Sequence, residues 1–168
     1  MRIAIVFGAG LLVLAQLMTV SSARAGSGVF ATTCAVCHQA TGRGVTGVYP
    51  PLANTVGAYV RIPAGRRYLM LVVLNGMAGR IVSQGVTYNG LMPSFANLSD
   101  GVLAATLNHV LLKLNRRLLP AGFRPISASE VHRARQDKPS ATAMARERAR
   151  LMKSLGATVL GAVQGKAR

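Results

Sequence analysis

The run Cys34-Ala35-Val36-Cys37-His38 constrains this chain more than any other feature, because it holds both cysteines of the 168-residue sequence. A C-x-x-C-H run is the pattern of covalent c-type haem attachment. Two thiols on one helical turn can each bond to one vinyl group of the same porphyrin, and His38 then lies beneath the iron and supplies an imidazole nitrogen. The run therefore predicts one covalently attached haem c, bound through Cys34, Cys37 and His38.

Three other kinds of site could use such a pair of cysteines. A thioredoxin-like redox pair normally follows a strand in a βαβ unit, and this sequence has no such alternation. A zinc site needs about four ligands, and the chain has no second C-x-x-C run and no H-x-x-x-H run. A single structural disulfide would not need the histidine that follows. Haem attachment is the interpretation that the whole run favours.

Composition limits what the rest of the chain can be. Hydrophobic residues make up 51% of the sequence and there is no Trp, so the core is expected to consist of Leu, Val, Ala and Met. This apolar content excludes a disordered chain, and the length excludes a large multidomain enzyme. The lack of a second long apolar run excludes several membrane spans. Four acidic residues are too few for a convincing paired-carboxylate active site.

The first 25 residues have the pattern of a secretory signal peptide. Met1 and Arg2 form a short positive region, an apolar run covers residues 3–20, and small residues end in an A-x-A pattern at Ala25. We expect cleavage after Ala25 and export to the periplasm, which is an oxidising compartment. The alternative is an uncleaved anchor, because the apolar run is close to the ~20 residues that span a bilayer.

The chain is strongly basic and its charge is unevenly distributed. Its 20 Lys and Arg residues against 4 Asp and Glu residues give a formal net charge of +16. The basic residues are densest after residue 119, and Pro120-Ala121-Gly122 is a natural boundary there. We therefore divide the chain after the signal peptide into a cytochrome-sized domain, residues 26–119, and a basic, partly helical C-terminal extension, residues 120–168.

Beyond the attachment run, residues 29–114 resemble the small class I c-type cytochromes. The similar stretches are Gln39-Ala40-Thr41-Gly42, Tyr49-Pro50-Pro51-Leu52-Ala53, residues 85–95 and Leu98-Ser99-Asp100. The combination is similar to single-haem cytochromes that accompany periplasmic dehydrogenases or occur fused to reductases. The resemblance implies an all-α class I cytochrome c fold, with three to five helices around one covalently bound haem, followed here by a C-terminal helical extension.

The resemblance also implies the second iron ligand. The axial methionine of the family falls on Met92, which is followed by Pro93, so His38 and Met92 would bind the iron. Met77 is the second choice, at the end of a predicted helix. Met70 lies within an apolar helical stretch, where a role as core filler is expected.

Two further contacts follow from the resemblance. In this family a proline carbonyl accepts a hydrogen bond from the haem-binding imidazole, and Pro50 is the matching position, where the bond would fix the orientation of the ring. Stiffening of a loop is the alternative role of Pro50, and both roles are compatible. Tyr88 could donate to a haem propionate, with a partly exposed loop tyrosine as the alternative.

Local patterns predict the helices and loops. Ser99 is a candidate N-cap, Gly76 should end a helix, and Ser127 with Glu130 fits a capping box. The predicted helices are 28–40, 66–75, 102–119, 128–136 and about 140–155. The Gly-rich stretches 43–63 and 76–95 are expected to be loops, the first with at most one helical turn and the second carrying Met92. His109 is expected to pack where two helices cross, and His132 to be solvated.

The expected function is electron transfer. An iron held by His38 and Met92 has no open coordination position, so it exchanges single electrons and binds no substrate. Methionine ligation and an apolar pocket favour the ferrous state and raise the reduction potential. The positive surface would steer the protein toward redox partner proteins with acidic docking surfaces.

Two other functions stay open at this point. The chain could be a fixed cytochrome subunit of a dehydrogenase or reductase complex, or a haem sensor or enzyme whose sixth ligand is labile. The extension could contact an acidic partner or a membrane surface, or it could pack on the cytochrome with its charges facing solvent. Nucleic acid is a poor candidate as a partner, because an exported chain rarely meets it.

Overall fold

The computed structural model describes residues 24–165, with side chains for residues 24–156. The predicted signal peptide therefore lies outside the described residues, except for Arg24 and Ala25, which are helical. Among the described helices, none combines the length and the apolar composition that a membrane span requires.

Helices account for most of the described residues. Helix α1 covers residues 24–38 and contains a π-helical segment, Phe30–Cys34, before its last turn, Ala35–His38. The other helices are α2 (Pro63–Asn75), α3 (Asp100–Leu114), α4 (Ala128–Ala134) and α5 (Ala141–Gly165). Two 3-10 segments, Val56–Arg61 and Arg116–Leu118, follow the loop after α1 and the end of α3.

The Gly-rich stretch between α2 and α3 is a β-hairpin, so the prediction of a loop over residues 76–95 is wrong for most of it. Strand β1 (Met77–Ser83) pairs antiparallel with strand β2 (Val86–Met92). The two turn residues, Gln84 and Gly85, both have positive φ, as a two-residue type I′ hairpin turn requires. Three glycines within this stretch hide the alternation of buried and exposed positions from a reading of the sequence.

Three helix ends lie where local sequence predicted them. The Ser99 hydroxyl accepts a hydrogen bond from the backbone N–H of Val102 at the start of α3. Ser127 and Glu130 form the predicted capping box at the start of α4. Gly76, with φ of 71°, ends α2. Short-range hydrogen-bonding chemistry therefore fixes these boundaries.

Helix α3 ends earlier than predicted because Asn115 leaves the helical conformation. Its side chain is fully buried, and its Oδ1 accepts hydrogen bonds from the N–H groups of Thr55 and Gly57, both at 3.0 Å. Its Nδ2 donates to the carbonyl oxygens of Leu52 and Val110, also at 3.0 Å. This amide therefore ties the end of α3 to residues 52–57.

Helices α1 and α3 meet at Phe30. This side chain is buried in one hydrophobic cluster with Leu107 and Val110, and its ring lies 5.0 Å from the ring of His109. The prediction that His109 packs where the helices cross is confirmed.

The described side chains of the C-terminal extension pack on the rest of the protein. Val131, Met144 and Leu151 are buried in the same hydrophobic cluster as residues of α2 and α3. Helix α5 lies against α2 and β1. Of the two roles considered for the extension, these side chains adopt the packed one.

Ion pairs join the extension to the same helices. The Arg66 guanidinium donates to both carboxylate oxygens of Glu130, at 2.7 and 3.0 Å, and these bonds lower the pKa of Glu130 to about 2. Asp100 accepts from Arg135 at 2.8 Å and lies 3.2 Å from Nδ1 of His132. His132 is exposed, as predicted, but it is not without a protein contact.

We expect Met144→Ala to lower the free energy of unfolding by about 2–5 kcal/mol, because the buried thioether fills space between the extension and the core. Equilibrium denaturation measures this loss. Met152→Ala on the same helix is the control, since Met152 is only half-buried and its loss should be smaller. Equally small losses for both variants would contradict a packed extension.

Candidate functional site

A cavity with two adjoining lobes lies between α1, α2, the hairpin and α3. The inner lobe has a volume of about 110 Å³ and the outer lobe about 410 Å³. The residues that line both lobes are Cys34, His38, Pro50, Met77, Ile81, Met92 and Phe95. The structure therefore brings together Cys34, His38, Pro50 and Met92, which lie up to 58 positions apart in the sequence.

His38 is the last residue of α1 and is 9% exposed. Its Nδ1 lies 2.8 Å from the carbonyl oxygen of Pro50, and because a carbonyl only accepts, Nδ1 carries the proton. Nε2 has no hydrogen bond from any described residue. Burial lowers the pKa of His38 more than the bond to Pro50 raises it. The imidazole is therefore held neutral, the form in which histidine binds metals.

The loop that presents Pro50 to His38 depends on Gly44. The N–H of Gly44 donates to the carbonyl oxygen of His38 at 2.9 Å. Gly44 has φ of +67°, and a Cβ at this position would overlap the carbonyl oxygen of Tyr49. Only glycine combines this conformation with so close an approach of two backbone segments.

Both cysteines lie at the cavity wall as free thiols. Cys34 lines both lobes, whereas Cys37 lines the outer lobe alone. Burial, with a smaller contribution from Cys37, raises the pKa of the Cys34 thiol. The attacking cysteine of a thioredoxin-like pair has a lowered pKa instead, so the electrostatics here disfavour that alternative.

Two methionines line both lobes, and they differ in their partners. Met92 ends β2 instead of lying in a loop as predicted, and Met77 begins β1 directly opposite it. The hydroxyl of Tyr68 donates to the sulfur of Met77 at 3.4 Å. No described residue donates to the sulfur of Met92. Met92 therefore has its lone pairs available for a ligand interaction, while Met77 is already engaged.

The chain after Met92 is fastened to the end of α2. The hydroxyl of Ser94 donates to the carbonyl oxygen of Leu74, and the N–H of Phe95 donates to the carbonyl oxygen of Val73 at 2.9 Å. A Cβ on Gly76 would lie 2.5 Å from the carbonyl oxygen of Met92. Helix α2 thus positions Met92 through backbone contacts.

Tyr88 is 5% exposed, so the expectation of a partly exposed loop tyrosine is wrong. The residue lies on β2, opposite Ile81, and lines the outer lobe. Its hydroxyl makes no hydrogen bond with a described residue. The contact of Tyr88 with a propionate stays a prediction.

Sequence reasoning missed Arg148. This residue of α5 is 6% exposed, and its guanidinium lines the inner lobe. It donates to the carbonyl oxygen of Val82 at 2.7 Å and to the hydroxyl of Tyr59 at 3.0 Å. One arginine on a basic helix carries no sequence signal of burial, because most arginines are exposed.

The residues present fit a covalently bound haem. Two thiols lie at the wall of a mainly apolar cavity, a neutral imidazole exposes Nε2, and a thioether sulfur has no other partner among the described residues. Cys34, Cys37 and His38 would hold such a group, with Met92 as a further donor from a different element.

We expect Gly44→Ala to destabilise the protein more than Gly47→Ala does. Both glycines have positive φ, but a Cβ on Gly47 would meet no atom within 4 Å. Both variants should lose about 1–2 kcal/mol from the backbone conformation, and Gly44→Ala should lose a further ~1–3 kcal/mol from steric overlap.

Denaturation curves of the two variants measure this difference, and absorption spectra show whether the environment of His38 changes only in Gly44→Ala. Equal losses of stability would show that the backbone contact at Gly44 does not position Pro50.

Comparison with known proteins gives a consistent picture. The family model for cytochrome c matches residues 23–111, more than half of the chain. Cytochrome c-552 of Thermus thermophilus is 42% identical over 118 residues, which cover 70% of this chain and 90% of that protein. A second cytochrome c-552, from another source of Thermus thermophilus, is also 42% identical over 118 residues, which cover 80% of its length.

Proposed function

We propose, because the chain belongs to the cytochrome c family and is an electron-transfer protein with one covalently bound haem c, that His38 and Met92 bind its iron. One observation carries this assignment. Nε2 of His38 and the sulfur of Met92 belong to side chains that line the same part of the cavity, and neither atom has a hydrogen bond from a described residue. Cys34 and Cys37 would attach the porphyrin.

Each residue contributes through its own chemistry. Haem, when bound, supplies an iron that takes up and releases one electron. The carbonyl of Pro50 fixes the ring of His38 and makes Nε2 a better donor. The thioether of Met92 favours the ferrous state, and so do the apolar walls, because they disfavour the additional positive charge of the ferric state. Tyr88 would form part of the wall beside the haem.

Exposed apolar side chains line the mouth of the outer lobe. Val36 is 71% exposed, Leu91 is 73% exposed, and Val48 is also largely in contact with solvent. We propose that redox partners dock here, at the edge of the haem. Apolar contact would bring the partner close, and the positive charge of the chain would steer it toward acidic docking surfaces.

We further propose that the chain is a periplasmic carrier, exported by residues 1–25 and cleaved after Ala25, and that it is not itself an enzyme. A filled sixth position at Met92 supports the last point, because it leaves no site for a substrate or gas at the iron. The division into residues 26–119 and the extension 120–168 stays a proposal, and the buried Met144 and Leu151 favour an extension that serves its own core over one that docks into a complex.

We expect Met92→Ala to open the sixth coordination position. The oxidised protein should lose the weak iron–sulfur band at the red end of its spectrum, its reduction potential should fall, and added azide should shift the Soret band. Spectroelectrochemical titration and ligand addition measure these changes.

Met77→Leu is the matched control, because it removes a thioether from the same cavity and the opposite strand position. It should keep the iron–sulfur band and resist azide. The reverse result, in which Met77→Leu loses the band and Met92→Ala keeps it, would assign the ligand to Met77. Azide binding to the unaltered protein would favour the sensor or enzyme alternative.

A further inference from the structure

Arg148 is a buried cation that has no carboxylate partner among the described residues. The sequence has four acidic residues, and each forms its ion pair with another residue. Asp100 pairs with Arg135 and His132, Glu130 with Arg66, Asp137 with Arg67, and Glu147 with Arg150. A buried charge is costly unless it is paired, so Arg148 lacks the anion that its position calls for.

The guanidinium of Arg148 also has unused hydrogen-bonding capacity. Of its five N–H donors, one binds the carbonyl oxygen of Val82 and one binds the hydroxyl of Tyr59. No described residue accepts from the others. These two contacts hold the planar group at the wall of the inner lobe. A carboxylate in that lobe would meet a positioned, bidentate donor.

The position of Arg148 relative to the cysteines indicates which part of a haem it would meet. Haem carries its two vinyl groups on one half of the porphyrin and its two propionates on the other. Cys37 lines only the outer lobe, Cys34 lines both, and Arg148 lines only the inner lobe. A porphyrin attached at the cysteines would therefore direct its propionate half toward the inner lobe.

We infer that Arg148 binds a propionate carboxylate of the haem, so that a residue of the C-terminal extension is part of the cofactor site. The inference rests on the proposed function in one respect, the presence of a covalently bound haem. Tyr88, the sequence-based candidate for a propionate contact, lines the outer lobe and is left with the wall of the haem pocket.

This contact gives the extension a second reason to stay on the core. The carboxylate would neutralise Arg148, and Arg148 already joins α5 to β1 through Val82 and to the segment before α2 through Tyr59. Insertion of haem and closure of α5 over the hairpin would therefore stabilise each other.

The direct test uses the full-length, unaltered haem protein in its reduced state. Nuclear magnetic resonance should show nuclear Overhauser contacts between the guanidinium protons of Arg148 and the methylene protons of a propionate. Absence of these contacts, with the arginine signals assigned, overturns the inference.

Variants test the same contact independently. Arg148→Gln should shift the propionate carboxylate band in the infrared spectrum, and Arg148→Lys, which keeps the charge but loses the fork, should shift it less. Arg150→Gln is the matched control, because it removes the same charge from an exposed position on α5, and it should leave the band in place. A band that is unchanged in Arg148→Gln overturns the inference, since loss of a direct contact must change the environment of the carboxylate.

The possible failures are distinguishable. If Arg148→Gln does not fold, the contacts in the unaltered protein decide the question alone. A protein that carries haem but lacks those contacts overturns only the role of Arg148. A protein that carries no haem overturns the proposed function together with this inference.

Discussion

The hydrogen bond between Nδ1 of His38 and the carbonyl oxygen of Pro50 is the contact on which the site depends. It determines which nitrogen carries the proton, and so it leaves Nε2 as the free donor in the cavity. The bond needs the sharp loop at Gly44, which itself is bound to His38 through the backbone. The attachment run and the loop after it therefore form one local unit, and α2 and the hairpin complete the cavity around it.

Charge distribution explains how so basic a chain stays compact. Four carboxylates are available to a chain with 20 Lys and Arg residues, and three of them hold the extension or its helices against the core. Most other cations of the described residues face solvent, where they are hydrated and add to the positive surface. Arg148 is the exception, because it is buried beside the cavity. A negatively charged cofactor substituent would remove this imbalance.

Much of the fold could be predicted because its signals are local. The cytochrome c fold, the bound haem c and electron transfer are confirmed by the family match and the relatives, and Ser99, Gly76 and the capping box at Ser127 mark helix ends by short-range chemistry. The hairpin was missed because glycines obscure its alternation. The early end of α3 and the burial of Arg148 depend on partners more than 50 residues away, which no local pattern encodes.

Mass spectrometry of the peptide that contains residues 34–38, from protein produced in a host able to mature c-type cytochromes, tests the central claim most directly. The claim is that one haem is bound covalently to Cys34 and Cys37. The predicted result is a peptide whose mass is increased by one haem and whose two thiols resist alkylation. A peptide of unmodified mass with both thiols alkylated would contradict the claim.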